Sequence, residues 1–183
     1  MSNMSNNILK PVWYALRVTY NREMKVKADL DARGITCFVP MKVARVECGG
    51  QLVKKFVPSV HNLIFVLLDP RSMREYKATT ALPIRYIMDR EKHCPIIVPT
   101  EQMENFMRVA GTNDESLIYL TPEPGGFKRG DRVRILGGIF KDAEGVLTRV
   151  KGDRRVVVAI QGVVAVATAY IHPSYIEKIT DPS

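Results

Sequence analysis

Cysteine is scarce in this chain: Cys37, Cys48 and Cys94 are the three in 183 residues, and they lie far apart. An odd count without any Cys-x-x-Cys pair argues against a disulfide framework and a structural zinc site, and points to a reducing, cytoplasmic setting. Long apolar runs are missing too. The longest, such as 63–68 and 156–160, have the size of strands and are far too short to span a bilayer, so no membrane partner is expected. The first ten residues are polar and lack the apolar centre of a signal peptide; residues 1–11 read as a tail. Histidine is rare as well. His93-Cys94 lies near Asp89, but neighbours on a strand point to opposite faces, so the two side chains do not meet as a nucleophile and base. The sequence holds no Gly-rich phosphate loop, metal-ligand cluster or Gly-x-Ser-x-Gly. Neither an enzyme nor a cofactor is expected.

Positive charge is abundant. The net charge of +8 and pI near 9.5 favour an anionic partner, nucleic acid first. The excess is uneven. Residues 1–110 hold 17 basic and 10 acidic side chains, residues 111–126 none and three, and residues 127–183 ten and six.

In the first of these segments, Val12 to Val18 is rich in aromatic and β-branched residues and reads as a strand. Asn21 is placed to cap a helix running through Arg33, with Val26 and Leu30 on one face and Gly34 as its stop. Strands are expected at 35–39, 63–68, 84–88 and 96–98, and a Gly49-Gly50 hairpin across 41–58. Ser72-x-x-Glu75 has capping-box spacing for a second helix, and Thr100 caps a third that carries Met103, Phe106, Met107 and Ala110 on one stripe and stops at Gly111. This alternation implies an α/β sandwich over residues 12–110. Residues 111–126, ending in Thr-Pro-Glu-Pro-Gly-Gly, read as a flexible linker.

Residues 127–179 change character. Val133 and Ile135 alternate with Arg132 and Arg134, Gly137-Gly138 breaks that strand, and Gly145 opens the next. Three further strands with tight turns complete a small all-β, SH3-like barrel, with 180–183 as a tail. Gly130, Val133, Gly138, Phe140, Gly145 and Val146, in that order, resemble the KOW motif of transcription and ribosomal proteins.

With both halves in place, the chain from Val12 to Ile179 resembles the NusG family of transcription elongation factors. The residues that carry this are Trp13-Tyr14, Asn62-Leu63-Ile64-Phe65-Val66, Asp69-Pro70 and Ile97-Val98-Pro99, which match its N-terminal NGN domain. Arg17 to Tyr20, residues 96–104 and residues 166–170 look like the UpxY-type antiterminators of capsular polysaccharide operons. The resemblance implies an N-terminal domain that grips the clamp helices of RNA polymerase and promotes processive transcription, or antitermination, of a particular capsular or exopolysaccharide operon. Carried over by position, Tyr14, Leu63, Phe65 and Ile97 would form the clamp-binding groove. Arg17, Tyr20, Arg22 and Lys25 would face the non-template DNA strand at the upstream fork, cations on phosphate and Tyr20 stacked on a base. Arg74-Glu75-Tyr76 aligns with the contact to the opposite polymerase lobe, without the usual residue character. In the barrel, Ile139 and Phe140 would meet Rho or a small-subunit ribosomal protein, with Arg132 and Arg134 for RNA; Phe140 could equally plug the barrel mouth. The alternative is a ribosome-associated RNA-binding protein that uses the KOW barrel alone.

Overall fold

The computed structural model describes residues 10–121 and 130–180. The tail up to residue 9, residues 122–129 of the linker and of the opening of the second domain, and residues 181–183 lie outside the described residues.

An α/β unit comes first and an all-β unit second, as expected. In the first, β1 (Val12–Val18) and β5 (Leu63–Leu68) form the centre of an antiparallel sheet of order β2-β5-β1-β6, with β2 (Cys37–Phe38) and β6 (Ile84–Tyr86) outside them; β7 (Ile97–Val98) also pairs with β1. Ala15 stands opposite Phe65 and Leu16 opposite Ile64, which fixes the contents of each face. One face holds Tyr14, Leu16, Val18, Ile64 and Val66, packed with Val26 and Leu30 of α1 (Glu23–Ala32) and Met73 and Tyr76 of α2 (Pro70–Thr79). The other holds Trp13, Ala15, Leu63 and Phe65 under Met103, Phe106, Val109 and Ala110 of α3 (Thr100–Ala110). Because both faces are covered, β5 has no polar position from Leu63 to Val66.

The helix starts differ from those expected. Asn21 has a left-handed backbone (φ 51°), so the cap of α1 falls on Arg22 without a side-chain bond. The cap of α2 is Asp69, whose carboxylate accepts from the backbone N–H of Arg71 and Ser72 at 3.0 Å each, ahead of Pro70. Glu75 pairs with Arg71 rather than closing a box on Ser72. Thr100 is the first residue of α3 rather than its cap, which falls on Pro99 without a side-chain bond; Gly111 is the C-terminal cap, where a stop is expected. Strands expected at 35–39 and 84–88 shorten to 37–38 and 84–86.

The hairpin β3 (Met41–Cys48) and β4 (Gln51–Pro58) forms its own two-stranded sheet, turned by Gly49 and Gly50 at φ 60° and 80°. In the second unit, β9 (Asp131–Ile135), β10 (Glu144–Val150), β11 (Asp153–Ile160), β12 (Val164–Tyr170) and β13 (Ile176–Lys178) are the five strands expected of the barrel. A sixth, β8 (Ile118–Leu120), comes from the segment read as linker and pairs with β12, giving the order β13-β9-β10-β11-β12-β8. Ile118 and Leu120 pack with Val157, Ala165 and Ala167 on one side of that sheet. Three apolar or aromatic residues are too short a run to stand out beside Thr-Pro-Glu-Pro-Gly-Gly.

Candidate binding surfaces

The α3 face of the first sheet does not end at α3. Trp13, Phe65 and Phe106 belong to one continuous apolar cluster with Val133, Ile135, Val156, Val158, Ile160 and Val166 of the second unit. The β11–β12 side of that unit lies against α3. Two hydrogen bonds pin the seam: Asn105 Oδ1 accepts from the Glu144 backbone N–H at 3.1 Å, and Gln102 Oε1 from that of Gln161 at 3.3 Å. Beside them opens a cleft of about 410 Å³ lined by Gln102, Asn105, Arg132, Glu144 and Gly145. Gly145 is required where it stands, since a Cβ there would lie 2.4 Å from the Val157 carbonyl oxygen.

The four groove candidates are divided by the sheet. Leu63 and Phe65 share the α3 face and are 2% and 0% exposed; the Phe65 and Phe106 rings lie 5.8 Å apart. Tyr14 is opposite Val66 and Ile97, which puts Tyr14 and Ile97 on the other face. Tyr14 is buried there, 5.7 Å from the Tyr86 ring, and burial pushes its phenol pKa up; Ile97 is 44% exposed at the sheet edge. The family motif is made of consecutive residues, and a strand sends consecutive residues to opposite sides.

At the other end of β1 the chain builds an exposed basic corner. Tyr20 is 80% exposed and held at φ 62°, next to Asn21 at φ 51°. Two consecutive left-handed residues other than glycine cost of order 1–3 kcal/mol each and persist only when their surroundings hold them. Asn62, itself at φ 63°, supplies the hold: its Oδ1 accepts from the Asn21 backbone N–H at 3.4 Å, and its carbonyl from that of Val18 at 3.0 Å. The carboxylate of Glu23, 1% exposed, accepts from the Asn62 backbone N–H. The Arg22 guanidinium lies over the Tyr20 ring, 5.7 Å from its centroid, a cation–π arrangement. Arg17 is exposed on the Leu63 side of the strand and stands opposite Arg85 on β6; Lys25 is exposed on α1. Sequence reasoning misses Arg85, Asn62 and Glu23 as parts of this corner. Only the β1–β6 register reveals Arg85, and Glu23 reads in the sequence as an ordinary first-turn acid.

In the second unit Ile139 is 63% exposed while Phe140 is 3% exposed, so of these neighbours the aromatic belongs to the core and the isoleucine to the surface. Arg134 is engaged: its Nη2 lies 2.6 Å from Glu144 Oε1, and that hydrogen bond holds the guanidinium pKa above its ordinary value. Arg132 lines the cleft beside α3. Among the described residues no group of three or more His, Cys, Asp or Glu side chains is arranged to hold a metal, and no helix is long and apolar enough to cross a membrane.

The family model described as "Transcription termination factor nusG" matches residues 11–107, and the chain belongs to the NusG family of non-enzymatic transcription elongation and antitermination factors, whose members bind RNA polymerase. A solved structure described as "Domain interaction in Thermotoga maritima NusG" is similar at 22% identity with a TM-score of 0.43, covering 93% of this chain and 98% of that one. No curated protein matches the sequence.

Proposed function

We propose that the first unit holds the clamp helices of RNA polymerase on the α3 side of its sheet, where the second unit now packs, with Leu63 and Phe65 as the apolar floor beneath α3. Ile97, exposed at the β7 edge, and Tyr14 lie on the opposite face and back the groove from behind. A bound factor that bridges the DNA cleft disfavours clamp opening, so paused and termination-prone states lose population; this is selection between conformations, without chemistry. The exposed corner of Arg17, Tyr20, Arg22 and Lys25 meets the non-template strand. Ile139, with Arg132 and Arg134 near it in sequence, serves a partner of the second unit, Rho or a small-subunit ribosomal protein. The resemblance at 17–20, 96–104 and 166–170 supports a factor dedicated to one capsular or exopolysaccharide operon, acting in the bacterial cytoplasm.

The observation that carries this reading is the continuous apolar cluster around Phe65. It draws its members from both units. On this reading the second unit must leave α3 before polymerase takes its place, and the exchange is one apolar cover for another.

Phe65→Ala should weaken binding to core RNA polymerase by about 1–3 kcal/mol, the scale of a hot-spot truncation, with Ile97→Ala causing a smaller loss. Affinity capture checks both, run below the melting temperature of each variant because Phe65 is a core residue. Equal recovery of polymerase by wild type and Phe65→Ala would show that the groove lies elsewhere.

A further inference from the structure

Among the described residues, β3 and β4 pair with each other and with no other strand. Eight residues per strand give this hairpin a reach of roughly 25 Å. It carries Lys42, Arg45, Lys54 and Lys55 against a single acid, Glu47. The pairing register distributes these cations. Arg45 stands directly opposite Lys54, while Lys42 and Lys55 occupy the reverse face. Like charges directly across an antiparallel pair are destabilising, so the Arg45–Lys54 pair is a cost that the fold itself does not require. Lys54 reaches Glu115 at 3.2 Å, but both side chains are about two-thirds exposed, where such pairs contribute little.

On the face of Arg45 and Lys54 the hairpin also presents Phe56 and Leu52, 63% and 71% exposed. Phe56 stands opposite the half-buried Val43 and Leu52 opposite Glu47, so this face mixes two exposed apolar side chains with two cations and one acid.

We propose that this hairpin is a binding arm for double-stranded DNA, distinct from the Tyr20 corner. A two-stranded β-ribbon fits the major groove of B-form DNA, about 12 Å wide, whereas the A-form major groove of duplex RNA is too narrow to admit it. Arg45 and Lys54 share the inward face with Phe56 and Leu52 and meet phosphate there, which relieves their repulsion, while Lys42 and Lys55 on the outward face reach round the ribbon's edges to the phosphates of the rims. Phe56 and Leu52 face the base edges, where thymine methyl groups offer apolar contact. The proposal stands on the hairpin alone and holds whichever surface binds polymerase.

The test is fluorescence anisotropy of the full chain with a mixed-sequence duplex of about 25 base pairs, and with one of its single strands, across a salt series. Lys42→Ala/Arg45→Ala/Lys55→Ala should weaken duplex binding at least about 10-fold and reduce the slope of log affinity against log salt by about 2–3, close to 0.9 for each phosphate no longer neutralised. Single-strand affinity should change by less than about 3-fold, because stacking on exposed aromatics and the other basic surfaces remain. Phe56→Ala should weaken duplex binding without changing the salt slope. All four side chains lie at least partly open to solvent, so melting curves should match wild type. Failure of the wild-type protein to bind the duplex, an unchanged slope in the triple variant, or equal loss on duplex and single strand would each overturn the proposal. Polymerase capture by Phe65→Ala reads a different surface, so its failure and the failure of the hairpin to bind duplex are distinguishable.

Discussion

The two faces of the N-terminal sheet are built from alternate residues of the same two strands, yet they are closed in different ways. The face of Tyr14, Leu16, Ile64 and Val66 is sealed within its own unit by α1 and α2. The face of Trp13, Leu63 and Phe65 is sealed by α3 and then by strands from beyond residue 130. One face is private and the other is shared. A private core can only stabilise. A shared core also couples the position of the second unit to anything else that covers the same surface, since two covers of one apolar face exclude each other.

The largest test of that difference compares one truncation on each face. Phe106→Ala removes a fully buried ring that packs on Phe65 and Phe38, and should cost about 3–5 kcal/mol; Met73→Ala on the private face should cost about 2–5 kcal/mol. Denaturant melts give these values, but hydrogen exchange separates the variants. Phe106→Ala should speed exchange across β11 and β12, which lie against α3, whereas Met73→Ala should leave them protected. Equal protection in both would mean that the second unit does not depend on the shared face.

A smaller effect belongs to the private face and emerges at high pH. Burial, helped by the hydrogen bond to Asp29 at 2.9 Å, pushes the Tyr76 phenol from an ordinary 10.0 to about 12. Burial likewise pushes the Cys37 thiol from 9.0 to about 11. Both groups therefore keep their protons in the folded chain at pH values where the unfolded chain has released them. Their contribution is complete below about pH 9 and is lost as pH rises through 11 and 12, so stability falls along an alkaline limb. Tyr76→Phe should flatten that limb while lowering stability at neutral pH by about 1 kcal/mol for the missing hydrogen bond. Thermal melts from about pH 7 to 11 check it; a limb as steep in Tyr76→Phe as in wild type would assign the titration to other groups.

Much of this arrangement is legible in the residues. The apolar run 63–68 suits only a strand covered on both sides, the Met103–Phe106–Ala110 stripe suits a helix packed by one face, and the glycines at 49, 50 and 145 stand where turns and close strand approaches require them. Local rules fail where a tertiary partner decides the outcome. Asn21 has the chemistry of a cap, but Asn62 and the buried Glu23 hold it in a turn instead. Ser72 has the spacing of a cap, but Asp69-Pro70 begins the helix one turn earlier. The candidate sites are harder to read, because they rest on consecutive residues of motifs. Alternation sends Tyr14 and Ile97 to one face and Leu63 and Phe65 to the other, and Ile139 and Phe140 part between surface and core. Register across strands far apart in sequence brings Arg85 opposite Arg17, and no local pattern announces that.

The measurement that bears most directly on the shared face is the affinity of the full chain for core RNA polymerase when the seam alone is weakened. Gln102→Ala/Asn105→Ala removes the two hydrogen bonds to the second unit, worth about 0.5–1.5 kcal/mol each, and leaves Leu63 and Phe65 in place. If polymerase and the second unit compete for that face, the double variant should bind polymerase more tightly, by about 5-fold or more. Unchanged or weaker binding by a variant that melts like wild type would contradict the account.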